Sequence, residues 1–153
     1  MNNETQLNLY QQVILEHNRN PRNFKKLSPA SHEAEGYNPL CGDHLWIYLN
    51  VSSSGLIEDL TFHGNGCAIS KASASMMTAA IKGKDTIFAQ NLFQEFQAML
   101  KGEINPEQDK HSLGSLKIFA GVCKYPSRVK CAILAWHTMS GALHAHKHVT
   151  TET

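Results

Sequence analysis

Apolar positions recur at helical spacing near the start of the chain. Leu7, Tyr10, Val13 and Ile14 predict an amphipathic helix over about residues 5–18. The stretch NRNPRN, residues 18–23, ends it, because Pro21 cannot continue a helix comfortably. Residues 31–37 read as a polar strand. HLWIYLNV then alternates, with Leu45, Ile47, Leu49 and Val51 on one face and Trp46 and Tyr48 on the other. SSSG at 52–55 turns the chain, and LIEDLTFH alternates again, putting Leu56, Leu60 and Phe62 on a common face. These segments predict a small antiparallel sheet.

Beyond Gly66 the period lengthens. CAISKASASMMTAAIKG predicts a helix stopping near Gly83, with Met76 and Met77 in the core and small residues suited to close packing on a sheet. Phe88, Leu92, Phe96, Met99 and Leu100 form a second helical stripe that ends near Gly102. Phe88, Phe93 and Phe96 serve the core or a partner surface. EINPEQDKHSLG is a polar connection, and a short helix covers Leu113 to Val122. Pro126 and Ser127 open a last helix that buries Val129, Ile133, Trp136 and Leu143. The order of helix, strands and helices implies an α+β fold with helices packed on an antiparallel sheet. No repeat or linker interrupts it, so residues 1–153 read as one domain, with a core over about 7–143 and a polar tail over 144–153.

Composition narrows the function classes. A net charge of +1 gives no basic excess for nucleic acid. The polar start MNNETQLNLY lacks the features of a signal peptide, and no apolar stretch approaches the length of a membrane span. Cytoplasm is the expected compartment, where the four cysteines are ligands, nucleophiles or core thiols rather than disulfides.

The cysteines carry the candidate chemistry. In NPLCGD, Pro39 and Gly42 frame a bend that carries Cys41 and, two residues on, Asp43. Zinc accepts both thiolate and carboxylate. Cys67 follows Gly-Asn-Gly at a helix start, where backbone N–H groups and the helix dipole favour a thiolate. Cys131 lies early in the last helix beside Arg128 and Lys130, supporting cations that also favour thiolate. Three thiolates and one carboxylate would make a tetrahedral zinc site, or would hold an iron–sulfur cluster with one non-cysteine ligand. Cys123, with no carboxylate or glycine loop beside it, reads as a buried inert thiol. His44 and His63 are strand residues that would support the site if they faced it. The run HAHKH at 144–148 reads as a solvated tail.

The pieces LYQQVILEHNRNPRNF, NPLCGD, GNGCAISKAS and YPSRVKCAILAW closely resemble the SufU-type members of the NifU/IscU-like iron–sulfur cluster assembly family. The match runs from about Leu9 to Met139, and the three cysteine motifs in this order are highly specific. The resemblance implies an IscU-like (SufE/NifU-type) α+β domain with a three-stranded antiparallel sheet. It also implies a site of Cys41, Asp43, Cys67 and Cys131 that binds zinc, and a SufS-type cysteine desulfurase as partner. Cys41 is then the residue that accepts persulfide sulfur, freed when a desulfurase side chain replaces it as ligand, and a downstream assembly scaffold or apo-protein receives the sulfur. In this reading the chain is a sulfurtransferase-like partner rather than a stand-alone enzyme.

The scaffold branch of the family uses the same cysteines to build a [2Fe–2S] cluster, with iron in place of zinc, for transfer to apo-proteins. That branch has a histidine immediately before its third cysteine, where this chain has Lys130. It also has an LPPVK chaperone motif, where this chain has YPSRVK. The SufU branch has a longer segment between its second and third cysteines, as here in FQEFQAMLKGEINPEQDKHSLGSL. A third reading, a structural zinc interaction module, fits less well, because closed structural sites are usually built of Cys and His.

Overall fold

The computed structural model describes residues 3–151. Helix α1 (Asn3–Arg19) leads into the strands β1 (His32–Asn38), β2 (Asp43–Val51) and β3 (Ile57–Asn65). Helices α2 (Ala68–Ile81) and α3 (Thr86–Leu100), a 3₁₀ helix (Gly114–Lys124), α4 (Pro126–Leu143) and a short β4 (His148–Thr150) follow. The sheet order is β3-β2-β1-β4. β1, β2 and β3 form an antiparallel meander, with Ala34 opposite Ile47 and Ile47 opposite Phe62.

The period-two pattern makes one face of this sheet apolar. Ala34, Leu45, Ile47, Leu49, Leu60 and Phe62 are buried beneath α2 and α4. The approach is close because β1 has a glycine under α4: a Cβ at Gly36 would overlap Thr138 Oγ1 and stand 3.1 Å from Leu134 Cδ1. Trp136 on α4 is fully buried, stacks on Phe96 of α3 at 4.5 Å, and donates its indole N–H to Ser73 Oγ on α2 at 3.1 Å. Pinned to two helices, this ring fixes where α4 sits, and α4 carries Cys131.

Local signals explain the other boundaries. Asp85 caps α3 by accepting the Phe88 N–H at 2.7 Å. Pro126 occupies the first turn of α4, where its missing N–H costs nothing. In the 3₁₀ helix the buried positions Leu116, Phe119 and Val122 recur every three residues, as its tighter winding requires.

Three expectations are corrected. The sheet has four strands rather than three: residues 148–150, expected as polar tail, lie parallel to the outer edge of β1. Val149 can settle there because Gly141 of α4 leaves room; a Cβ at 141 would come within 2.6 Å of Val149 Cγ2. Leu56 is exposed and Ile57 takes the core position, because a bulge between Asn50 and Val51 shifts the register at the start of β3. Cys123 is exposed, since the buried stripe of the 3₁₀ helix passes through Val122 and leaves its neighbour outside.

Candidate metal centre

β1 and β2 are joined by a tight turn, Pro39 to Gly42. Gly42 supplies the positive φ of 74° that the turn requires and returns its N–H to the Asn38 carbonyl at 2.8 Å. This turn lifts Cys41 to the surface while Asp43, first residue of β2, points inward and is fully buried. The β3–α2 connection, Gly64-Asn65-Gly66, brings Cys67 to the same end of the sheet. Gly64 lies so close to β2 that a Cβ there would overlap the His44 carbonyl oxygen. At Gly66 a Cβ would overlap Ser70 Oγ and come within 3.1 Å of Asp43 Oδ1. Both glycines therefore permit the approach of one chain segment to another.

Cys131 is buried on the second turn of α4 and lies 3.3 Å, sulfur to sulfur, from Cys41. The ligand atoms of Cys41, Asp43 and Cys131 all lie within 4.8 Å of one another. Cys67 stands outside that group of three but is tied to two of its members. Its backbone N–H donates to Asp43 Oδ1 at 2.8 Å, and its sulfur takes a hydrogen bond from the Cys131 thiol. These separations suit a small tetrahedral ion, for which Zn–S of about 2.3 Å places sulfurs just under 4 Å apart. The donor set of thiols and one carboxylate suits zinc.

The ionisation of the two inner thiols is split. The Cys131 thiol, directed at Cys67, holds the Cys67 pKa down to about 7; burial opposes this, and the N–H groups of Ser70 and Ile69 at the start of α2 assist it. The helix-start N–H groups expected from the sequence thus contribute to Cys67, but behind the Cys131 thiol. Cys131 goes the other way. Its proton is shared toward Cys67 and Cys41, and burial and nearby negative charge push its pKa far up. Arg128 does not offset this: its exposed guanidinium lies 4.5 Å over the Tyr125 ring.

Asn38 is a site residue that the sequence reading overlooked, although it opens the NPLCGD motif. It is fully buried, and its side-chain amide donates to Asp43 Oδ2 at 3.0 Å and to Cys131 Sγ at 3.7 Å. With Cys67 N–H on the other oxygen, both oxygens of Asp43 are fixed. The histidines do not support the site in this way. His44 lies on the opposite face of β2 from Asp43, bonded to Glu35 at 2.7 Å and stacked on Trp46 at 4.1 Å. His63 stacks on Phe24 at 5.3 Å. Among the described residues no helix is long and apolar enough to cross a membrane.

Known proteins are similar to this chain over most of its length. The chain is 42% identical, over 86% of its own length and 86% of the relative's, to the zinc-dependent sulfurtransferase SufU of Bacillus subtilis. It is 38% identical to the iron–sulfur cluster assembly scaffold protein IscU of Streptococcus pyogenes, over 88% and 82% of the two chains. Among solved structures, FiSufU of Fervidobacterium islandicum AW-1 superposes with a TM-score of 0.81 at 33% identity, covering 88% of this chain and 96% of that one. Residues 9–132 match the NifU-like N terminal domain, and the chain belongs to that family.

Proposed function

We propose that this chain is a zinc-dependent sulfur acceptor of iron–sulfur cluster assembly, working beside a SufS-type cysteine desulfurase. The observation that carries the reading is the asymmetry of the site: Asp43 and Cys131 are buried, whereas Cys41, 3.3 Å from Cys131, is exposed. Two ligands are thus enclosed by the fold, Cys67 is half-buried beside them, and Cys41 faces a visitor. Cys41, Asp43, Cys67 and Cys131 are the metal ligands in this proposal, and bound zinc would keep its thiols deprotonated at neutral pH.

The transfer itself needs only sulfur chemistry. The Cys41 thiolate attacks the terminal sulfur of the partner's persulfide. A sulfur–sulfur bond forms on Cys41, the partner's sulfur–sulfur bond breaks, and the partner's cysteine leaves as thiolate. No net oxidation occurs. Cys41 can meet that partner because the turn holds it outside the sheet, with exposed Leu40 and Tyr37 beside it. Arg128 and Lys130, on the first turns of α4, are assigned a supporting role in attracting the anionic persulfide. The single domain and a downstream scaffold or apo-protein as recipient complete the proposal.

The scaffold reading is kept as the alternative, because the Streptococcus pyogenes relative bears that description. The test is intact mass of the zinc-loaded protein after anaerobic exposure to the desulfurase and cysteine without iron, with the desulfurase rate recorded in parallel. The acceptor reading expects a one-sulfur adduct and faster turnover, both lost in Cys41→Ala. No adduct and no activation, with a labile [2Fe–2S] cluster formed on iron and sulfide, would favour the scaffold.

A further inference from the structure

The metal centre is wired to the segment that follows α4. Asn38 spends both amide N–H groups on the site, one on Asp43 and one on Cys131. Its oxygen accepts from the Thr151 hydroxyl at 3.0 Å. A fully buried amide oxygen with no partner is costly, so Thr151 both satisfies Asn38 and fixes which way its N–H groups point.

Thr151 is held there by β4. Its own N–H reaches the Tyr37 carbonyl at 3.2 Å, and the Lys147 carbonyl accepts the Glu35 N–H at 2.8 Å. The Glu35 carboxylate bridges His148 at 2.6 Å and His44 at 2.7 Å. The His146 N–H closes on the Gly141 carbonyl at 2.7 Å. Yet β4 is three residues long, edge-placed and mostly exposed. Such an element opens locally far more easily than the sheet beneath it. Residues 148–151 also lie beyond the 9–132 span of the family match.

We propose that His148–Thr151 is a latch on the metal centre, with Thr151 as a positioning residue that acts through Asn38 on Asp43 and Cys131. The latch rests on the zinc reading given above. With it closed, both oxygens of the carboxylate and the buried sulfur are aimed. With it open, Asn38 loses its anchor and the ligands loosen.

The experiment is transfer of zinc from the loaded full chain to a chromophoric chelator, with thermal unfolding of the metal-free protein alongside. Thr151→Val, which keeps the shape and removes the hydroxyl, is expected to speed zinc loss about tenfold, the size seen when an outer hydrogen bond to a metal ligand is cut. Thr151→Ser is expected to stay near wild type. In an Asn38→Ala background, Thr151→Val is expected to add nothing. Wild-type zinc retention in Thr151→Val overturns the latch. So does a lowered Tm without faster zinc loss, which marks a structural staple alone. If Asp43→Ala still loses zinc in either case, the zinc reading stands without the latch. If the wild-type chain retains no zinc, the zinc reading falls and the latch with it.

Discussion

Gly66→Ala tests how the site is built. Gly66 does not sit in the left-handed region, so its backbone accepts alanine and the effect is steric. The new methyl meets Ser70 Oγ and stands 3.1 Å from Asp43 Oδ1. Overpacking of this kind costs about 1–3 kcal/mol. For a domain of this size that corresponds to a Tm lowered by about 2–12 °C. The two contacts yield differently. Removing the Ser70 hydroxyl clears the deeper overlap and, since that hydroxyl is buried without a partner, breaks no hydrogen bond, whereas Asp43 Oδ1 is held by the Cys67 N–H. Gly66→Ala/Ser70→Ala therefore recovers most of the Tm, while zinc affinity stays about tenfold weaker because Asp43 remains displaced. Calorimetry of the metal-free protein and chelator competition read the two effects separately. A Gly66→Ala protein with unchanged Tm and zinc affinity would refute the packing argument. A double variant restored in both would show that Asp43 is not the group that feels residue 66.

Further outcomes follow from the same geometry. Cys131→Ala removes the thiol that holds Cys67 down to about 7, so the Cys67 pKa should climb back toward 9.0 and its alkylation at pH 7, mapped by mass, should slow. The sign for stability is that of a depressed acid. Ionised Cys67 supports the metal-free fold fully above 9.0, and that support is lost as pH falls through about 7, so Cys131→Ala should flatten the dependence. Gly36→Ala drives a methyl into Thr138, which is tied to the Leu134 carbonyl at 2.7 Å, and should cost about 1–3 kcal/mol in urea unfolding. Because α4 carries Cys131, the same change should also weaken zinc binding.

Much of this was legible in the chain. Period-two and helical patterns located the first three strands and the helices, because each buries one regular face. The turn chemistry of NPLCGD and GNGC marked the two loops that meet at the site. What escaped had non-local causes. β4 has no pattern of its own; it exists because Gly141 and Glu35 receive Val149 and His148. Asn38 has no chemical signal of its own in the sequence, and its role appears only when α4 delivers Cys131 beside it. Leu56 and Ile57 exchanged places because Glu58 is an extra residue in β3 opposite the step from Asn50 to Val51, which simple alternation does not reveal. Arg128 lies three residues before Cys131, yet its guanidinium sits over the Tyr125 ring, a contact that sequence spacing does not reveal.

The central claim is a single zinc held by Cys41, Asp43, Cys67 and Cys131. X-ray absorption at the zinc edge of the loaded protein tests it most directly. The account predicts one zinc per chain with three sulfurs at about 2.3 Å and one oxygen at about 2.0–2.2 Å, falling to two sulfurs in Cys67→Ala. A shell of two sulfurs in the wild type, unchanged in Cys67→Ala, would leave Cys67 outside the site and contradict the account.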